Sequence, residues 1–438
     1  VLERLYPEQL DDLAPMLAHH FFRGEDWERA ALYSLVAARE AVRIYALREA
    51  LEHFDRAYQA LKHLPNSPPG QLIDTIVSWA ELAVRFNRFR EAVDRLEEAE
   101  RLARSLNDRR RLAFVLNWLG NAHVSAGFPS LGMPPLIESH QLAEEVGDDR
   151  LTLLPTFLTT THMVDRNPRA ALDSLQHVIE LAAQTDRPDI EAHAVAVKAM
   201  ALSRLGEFSA AEQSLQRAHE VARRVTAPAK LADVNAVSAL VYFDMGLIDR
   251  GLDYSQTATS KGMEAGVTEC TLYSMYCTAL GQYHKANLDE ARRGLEQLVQ
   301  MATTLPSTYL TQLFLRGGLA MVQARAAEPG GMDTLKAVRD SARASGDDYM
   351  AAVYSQTLGE TRLNDGDFEG AERDLGDALA YYRRNQMRPY LVRILRSLAA
   401  LYERQGRTSE ANAARDEADR LQAELEVPAS DPDPIRVA

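Results

Sequence analysis

A single phrase recurs along this chain at a spacing of about 40 residues. The stretches GEFSAAEQSLQRAHEVA at 206–222 and GDFEGAERDLGDALAYY at 366–382 both open Gly-x-Phe and place Ala five positions after the Gly. The second stretch begins four periods after the first. Because self-similarity at a period of roughly 20 to 50 residues is the signature of repeat arrays, this spacing constrains the fold more than any single motif does.

The period is set by the small residue that ends each Gly-x-Phe-x-x-Ala-like pattern, which is here called the anchor. Anchors occur at Ala50, Ala92, Gly132, Ala171, Ala211, Gly251, Ala291, Ala371 and Ala411. Successive anchors follow one another at nearly equal steps, except that the step from Ala291 to Ala371 is twice as long. The double step indicates one degenerate unit near 324–338. The period therefore predicts ten units that form one continuous domain over residues 26–425.

Each unit is predicted to contain two helices. The second helix begins three positions before the anchor and carries apolar residues four and seven positions after it, as at Ala371, Leu375 and Ala378, which fall on one helix face. Alternating, β-branched segments that would indicate strands are scarce. The predicted fold class is all-α, a solenoid of about ten helix pairs. The first helices are predicted to end near Gly or Asn, at Asn87, Gly127, Gly206, Gly246, Gly366 and Gly406.

The remaining segments are assigned by composition. Residues 1–25 are interpreted as an N-terminal junction helix, and the Pro-rich stretch LPNSPPG at 64–70 predicts a loop between the first two units. Residues 426–438 are rich in Pro and Asp and predict a disordered tail. No apolar run reaches the roughly 18 residues that a membrane span needs, and no signal-peptide pattern opens the chain.

Charge and cysteine content narrow the class of protein. The net charge of −14, from 49 basic and 63 acidic residues, disfavours nucleic-acid binding, which depends on neutralising phosphates. Cys270 and Cys277 are two turns apart on one predicted helix, too far for a disulfide within that helix. This fits a reducing cytoplasm. Cysteines buried on a helix face are favoured over the alternative, a reactive thiol pair.

Motifs that carry catalysis or hold cofactors are missing from the sequence. None of the six lysines follows Gly or precedes Ser or Thr, so there is no phosphate-binding loop, and no Gly-x-Gly is present. His219 and Glu220 are not followed by a second His at the zinc-protease spacing. His19 and His20 are adjacent and point to different helix faces, which disfavours a metal site. We therefore expect no catalytic residue, no cofactor, no metal and no enzymatic activity.

The repeated phrase resembles the tetratricopeptide repeat (TPR). Residues 116–132, LNWLGNAHVSAGFPSLG, carry Leu119 and Gly120 and end at the anchor Gly132, and Leu358 with Gly359 matches the same position. The period is longer than the usual 34 or so residues. Such long repeats resemble those of bacterial signalling ATPases of the STAND class and of maltose-regulator-like transcriptional regulators. The resemblance covers about nine tenths of the chain and implies a right-handed superhelix that binds partners on its concave face.

The N-terminal segment adds a second resemblance. LAHHFFRGEDW at 17–27 resembles the junction after the ATPase module of bacterial predicted ATPases, including cyclase-linked ones. This implies the C-terminal arm of a larger cytoplasmic signalling ATPase or regulator, with its ATPase module upstream. The chain begins with Val1, as expected of a processed chain or a fragment. The alternative is a free-standing TPR adaptor or peptide receptor.

The resemblance also implies which kinds of partner to expect. A protein or peptide partner is expected first and a small-molecule effector second, with no direct nucleic-acid binding and no membrane contact. In TPR arrays the first helix of each unit lines the concave face. Counting back from the anchors places there Phe243, Asp244, Tyr273, Tyr276, Tyr283 and His284. Aromatic side chains with polar tips suit peptide ligands, and the alternative is that they pack between helices.

Two further sets of residues fall on the same predicted face. Asn117 and Asn121 resemble the asparagines that hold a peptide backbone in chaperone-tail-binding repeats, although Phe114 stands where that clamp has a lysine. Arg393, Arg396 and Arg404 suit the recognition of carboxylates, and the alternative for them is a solvated helix face. All of these residues are candidate partner-binding residues.

Overall fold

The computed structural model describes residues 10–86, 88–126, 128–266, 268–303 and 314–425. Within these residues the chain forms α-helices joined by short connections. The helices are α1 Leu10–Arg23, α2 Trp27–Arg43, α3 Leu47–His63, α4 Pro69–Arg85, α5 Phe89–Ser105, α6 Arg109–Ser125, α7 Pro129–Val146, α8 Asp149–Arg166, α9 Pro168–Gln184, α10 Pro188–Leu205, α11 Phe208–Ala222, α12 Pro228–Asp244, α13 Ile248–Ala265, α14 Thr268–His284, α15 Leu288–Ala302, α16 Arg316–Arg325, α17 Gly331–Ala344, α18 Asp348–Asp365, α19 Phe368–Arg384, α20 Arg388–Arg404 and α21 Thr408–Glu424.

After α1, the described helices form ten consecutive pairs, which confirms the predicted solenoid of helix pairs. Every anchor lies in the second helix of its pair, and that helix begins three positions before the anchor in all described pairs but one. The exception is α17, which begins at Gly331 itself. Gly331 lies midway in the sequence between Ala291 and Ala371, so it is the anchor of the degenerate unit.

The anchors are the points of closest approach between the two helices of a pair. Ala50, Ala211 and Ala371 are fully buried, with 0% of each residue exposed. Where the anchor is Gly, the approach is closer still. A Cβ added to Gly251 would lie 2.4 Å from the Phe243 ring, and one added to Gly132 would lie 2.5 Å from a carbonyl oxygen of the preceding helix. Small anchors are therefore a steric requirement of the pairing.

The connections follow the predicted helix-ending chemistry. Gly206 and Gly366 end the first helices α10 and α18 with φ of 78° and 83°, a left-handed conformation that glycine adopts without strain. The predicted ends at Asn87 and Gly127 lie outside the described residues, as do residues 1–9 and the predicted tail at 426–438. The loop predicted at 64–70 is shorter, because Pro69 and Gly70 belong to the first turn of α4, where proline is well tolerated.

The chain groups into two compact units. Unit 1 comprises Val1–Ala126 and Leu131–Pro155, and unit 2 comprises Gly127–Ser130 and Thr156–Ala438. The boundary falls in the helices α7 and α8, both of which contain internal prolines. The prediction of one continuous domain stays a prediction, and each unit is described by itself below.

Ion pairs about one period apart link neighbouring repeats in each unit. In unit 1, Arg95 pairs with Asp55 at 2.5 Å. In unit 2, Arg250 pairs with Glu212 at 3.0 Å. Further pairs of this kind are Arg169–Glu207, Arg343–Asp377, Arg383–Glu417 and Arg407–Glu372. Exposed ion pairs each contribute about 0 to 1 kcal/mol to the free energy of unfolding. Their main effect is therefore on the register between neighbouring repeats and less on stability.

Enlarging a glycine anchor is expected to destabilise the protein. Gly251→Ala should cost about 1–3 kcal/mol of unfolding free energy, because the new methyl group overlaps the Phe243 ring and the Ala239 carbonyl oxygen. The matched control is Gly376→Ala in α19, where an added Cβ meets nothing within 4 Å. That change should stabilise the helix by about 0.5–1 kcal/mol. Urea unfolding followed by circular dichroism measures both, and equal effects would contradict the close-approach account.

Candidate ligand-binding surface

The first helices line the inner side of unit 2. Neighbouring first helices pack directly against each other, α10 on α12 and α12 on α14, and again α16 on α18 and α18 on α20. Within the described ranges, neighbouring second helices make fewer contacts with one another than neighbouring first helices do. A stack of helix pairs that touches along the first helices and spreads along the second ones curves toward the first helices. Side chains on the free faces of α10, α12, α14, α18 and α20 therefore face inward.

Helices several repeats apart meet on this inner side. The Tyr390 hydroxyl of α20 donates a hydrogen bond to Asp244 Oδ1 at the end of α12, with an oxygen–oxygen distance of 2.6 Å. The other oxygen of Asp244 accepts from the Ser203 hydroxyl of α10 at 3.0 Å. Arg388, at the start of α20, donates to the Leu205 carbonyl at the end of α10. Asp244 thus joins three first helices at one carboxylate.

A buried arginine lies at the centre of these contacts. Arg204 is only 5% exposed, its guanidinium pairs with the Asp165 carboxylate, and it lies 4.5 Å from the centre of the Tyr349 ring. The Tyr381 hydroxyl donates to the Asp165 carbonyl, and the Tyr349 and Tyr390 hydroxyls are 3.0 Å apart. We call the set Asp165, Arg204, Asp244, Tyr349, Tyr381 and Tyr390 the cross-repeat cluster.

The electrostatics of the cross-repeat cluster favour a charged Arg204. Burial by itself lowers the pKa of a guanidinium, but Tyr349, Tyr390 and Asp244 raise the pKa of Arg204 above its ordinary value. Burial raises the pKa of Tyr390 well above its usual range, and Asp244 adds to the effect. The tyrosines therefore remain neutral hydrogen-bond donors around a permanent cation. Sequence reasoning missed most of this cluster, because some of its contacts join residues far apart in the sequence: 146 residues separate Tyr390 from Asp244, and 216 separate Tyr381 from Asp165.

The predicted aromatic residues occupy two kinds of environment. Tyr276, Tyr283 and Phe243 are 5%, 7% and 4% exposed and lie in hydrophobic clusters, so they pack between helices, which was the alternative for them. Phe243 fills the space over the glycine anchor at 251. Tyr273 is half-buried, and its ring centre is 6.5 Å from that of Tyr276.

The predicted arginines are spread along α20. Arg393 is half-buried, and its guanidinium carbon lies 4.6 Å from the centre of the Tyr390 ring. Arg404 is exposed, lies over Phe368 and donates to the Leu363 carbonyl. Arg396 is half-buried. Of the three, Arg393 is the one that lies close enough to His284 for its positive charge to lower the pKa of that histidine.

The two predicted asparagines belong to unit 1. Asn117 is 2% exposed, and neither end of its amide has a hydrogen-bond partner among the described residues. Asn121 is half-buried and accepts a hydrogen bond from the Ser125 hydroxyl at 3.3 Å. A buried amide without partners is costly, which makes Asn117 a notable position. Their proposed partner-binding role stays a prediction.

A second polar group on the inner side of unit 2 surrounds His284, at the end of α14. Solvent reaches this side chain, but helices enclose it on several sides. This enclosure, together with the positive charges of Arg393 and Arg325, lowers the pKa of His284 to about 3. Arg325 ends α16, and its guanidinium carbon lies 5.2 Å from the centre of the Tyr283 ring. Sequence reasoning missed Arg325, since it belongs to the degenerate unit, where the register was not readable.

The described part of the chain also bears on metal binding, membrane spanning and thiol chemistry. There, no three His, Cys, Asp or Glu side chains come close enough to hold a metal ion. No helix within the described ranges is both long enough and apolar enough to cross a membrane. Within the described ranges Cys270 and Cys277 form no disulfide, and burial raises the pKa of Cys277 to about 12, which keeps it in its unreactive form.

Comparisons with known proteins bear on the fold. The family described as Anaphase-promoting complex subunit 5 matches residues 39–124. No curated protein matches the chain. Among solved structures, the chain is similar to a Rap protein complexed with Competence and Sporulation Factor, with 11% identity and a TM-score of 0.50. The similarity covers 90% of this chain and 98% of the Rap protein.

Two other solved structures are similar at lower scores. The Rap conjugation gene regulator of the plasmid pLS20, in complex with the Phr* peptide, has 12% identity and a TM-score of 0.49 over 82% of this chain and 96% of that one. A STAND protein with a tetratricopeptide repeat sensor from Pyrococcus horikoshii has 15% identity and a TM-score of 0.42 over 79% and 55%. Together with the ten helix pairs of the described residues, the comparisons show that this chain has a TPR-like helical repeat fold.

Loss of the Tyr390 hydroxyl is expected to loosen contacts between distant repeats. Tyr390→Phe removes the hydrogen bond to Asp244, and bonds to charged groups contribute about 1.5–3 kcal/mol. Hydrogen exchange should therefore accelerate at the ends of α10 and α12, far from the changed residue in sequence. The control is Tyr402→Phe on the same helix, whose hydroxyl interacts with Glu372 of the adjacent pair. If both variants give the same exchange pattern, the cross-repeat cluster does not hold these helices together.

Acidification is expected to destabilise unit 2 through the half-buried His162. Burial, with a contribution from Arg166, lowers the pKa of His162 to about 4. The ordinary value of 6.5 holds in the unfolded chain, so protons bind the unfolded state first, and stability is lost as the pH falls from about 6.5 toward 4. Between pH 7.5 and about pH 5, the His162→Gln variant should therefore lose less unfolding free energy than the unmodified chain, by on the order of 1–2 kcal/mol. Urea unfolding at the two pH values measures this difference. The exposed His177→Gln is the control, and equal pH profiles for the two variants would contradict this assignment.

Proposed function

We propose that this protein is a non-catalytic interaction scaffold that binds a protein or peptide on the inner side of unit 2. One observation carries the proposal. The position two turns before the anchor holds Arg204, Asp244, His284, Ala324, Asn364 and Arg404 in successive units. Packing of the pairs requires the same small anchor in each unit but sets no rule for the charge at this position. Arg204 and Asp244 are engaged within the cross-repeat cluster. A bound partner with its own pattern of charges supplies a reason for the differences at His284, Asn364 and Arg404.

We further propose that the chain is the partner-binding arm of a larger bacterial signalling ATPase or regulator. The resemblance of LAHHFFRGEDW at 17–27 to the junction after ATPase modules supports this. Binding on the inner side would then shift the population of active states of the neighbouring module. The cross-repeat cluster suits such a role, since it links helices that a ligand on the inner side would also contact.

The alternative is a free-standing peptide receptor. It is favoured by the coverage of the Rap protein, because the shared fold spans 98% of a chain that is complexed with Competence and Sporulation Factor. The DNA sequence upstream of the Val1 codon separates the two proposals. An in-frame phosphate-binding loop supports the ATPase arm, and a start codon without such a module contradicts it.

A pair of bulky substitutions tests where the partner binds. Ala400 is exposed on the first helix α20, and Ala380 is exposed on the second helix α19. Peptides are selected from a displayed random library against the purified full chain, and their Kd values are measured by fluorescence polarisation. Ala400→Trp should weaken binding by about tenfold or more, because the ring occupies the inner face. Ala380→Trp should change the Kd by less than about twofold. Equal effects, or a failure to select any peptide, would contradict the proposal.

A further inference from the structure

We infer that Arg325 and Arg393, with His284 between them, form a site for a carboxylate group of the bound peptide. This inference rests on the proposed function and specifies the chemistry that the inner side of unit 2 recognises. The three side chains come from three different first helices, α14, α16 and α20. His284 and Arg325 are exposed, and Arg393 is half-buried, so a ligand can reach all three.

A chain of contacts brings the two arginines to the same neighbourhood. Arg325 lies over the Tyr283 ring, and the Tyr283 hydroxyl interacts with both Arg325 and Thr357 of α18. One turn further along α18, Glu360 Oε1 accepts a hydrogen bond from the Ser397 hydroxyl of α20 at 3.1 Å. Ser397 lies one turn after Arg393 on the same helix. The contacts thus run from Arg325 through α18 to the helix that carries Arg393.

Aromatic rings hold both guanidiniums in place. Arg393 lies over Tyr390, and its Nε is 3.4 Å from the Pro389 carbonyl oxygen. Arg325 lies over Tyr283, a ring that is itself buried in the hydrophobic core. Stacking on a ring fixes the plane of a guanidinium while leaving its N–H groups available, which lowers the entropy cost of recognising a carboxylate.

Neither guanidinium pairs with a carboxylate among the residues that the structure describes. This contrasts with other arginines of unit 2. Arg343 and Arg383 pair with acids of the next repeat at 2.7 Å, and Arg339 pairs with the buried Asp374 at 3.0 Å. A carboxylate from outside the chain would give these two guanidiniums the kind of partner that Arg339, Arg343 and Arg383 have within it.

The local charge matches a monoanion. His284 is neutral at pH 7, since its pKa is lowered to about 3, and its ring is therefore a hydrogen-bonding group without charge. Two guanidiniums and the carboxylate of Glu360 give a formal local charge of +1. Glu360 is already engaged by Ser397 and by Gln356, whose Nε2 donates to it at 2.8 Å. A single carboxylate neutralises this charge, whereas a phosphate dianion would leave an excess negative charge beside Glu360.

The carboxylate has two sources, an Asp or Glu side chain or the C-terminus of a peptide, and three matched probes distinguish them. Random octapeptide pools are prepared with a free C-terminus and no acidic residues, with an amidated C-terminus and acidic residues, and with neither carboxylate. Each pool is passed over the immobilised full chain, and retained peptides are quantified by mass spectrometry. The variants are Arg325→Gln with Arg393→Gln and, as the matched control, Arg343→Gln with Arg383→Gln.

We expect the unmodified chain and the control to retain one of the carboxylate pools about tenfold more than the neutral pool. The Arg325 and Arg393 double variant should lose this preference. The retained pool identifies the source as a terminus or a side chain. If the double variant is poorly folded by circular dichroism, Arg325→Gln alone replaces it, with an expected loss of about fivefold at an exposed position.

Two results would overturn the inference, and they have different meanings. If the neutral pool is retained as well as the carboxylate pools, and the double variant retains all of them unchanged, peptide binding stands and the carboxylate site does not exist. If the unmodified chain retains no pool at all, the proposed function itself fails.

Discussion

The structure depends on one steric constraint, the close approach of two helices at a small anchor residue in every repeat. At Ala211 and Ala371 no surface remains exposed, and at Gly251 even a methyl group would overlap a neighbouring ring. Because the constraint recurs once in every period, helix pairs of nearly the same shape stack repeatedly. In such arrays each added pair is rotated by a similar small amount relative to the one before it. The curvature that places the first helices of unit 2 on the inner side follows from this repetition.

The two helices of each pair carry different information. The second helices repeat the same stripe and connect to their neighbours through ion pairs about one period apart, such as Arg383 with Glu417. The first helices differ from repeat to repeat, and in unit 2 they carry both the cross-repeat cluster around Arg204 and the basic group around His284. The first group links distant repeats of the protein to one another. The second has charges that the described part of the protein leaves without acid partners.

The period alone predicts the number of pairs, the anchors, the start of nearly every second helix and the helix ends at Gly206 and Gly366, because these are local requirements repeated many times. The cross-repeat cluster was not predictable, since contacts such as Tyr390 with Asp244 depend on curvature accumulated over several repeats. Phe243 and Tyr283 were placed on the inner face by counting, but they are buried, because aromatic rings fill the space around small anchors. Arg325 was not predicted, because it belongs to the degenerate unit, where positions could not be counted back from a recognised anchor.

The central claim is that recognition takes place on the first helices of unit 2, and hydrogen exchange with and without a selected peptide tests it most directly. The full chain is compared in both states by mass spectrometry. The account predicts slower exchange in α14, α18 and α20, which carry His284, Glu360 and Arg393, and unchanged exchange in the second helices α15, α19 and α21. Protection confined to the second helices, or to unit 1, would contradict it.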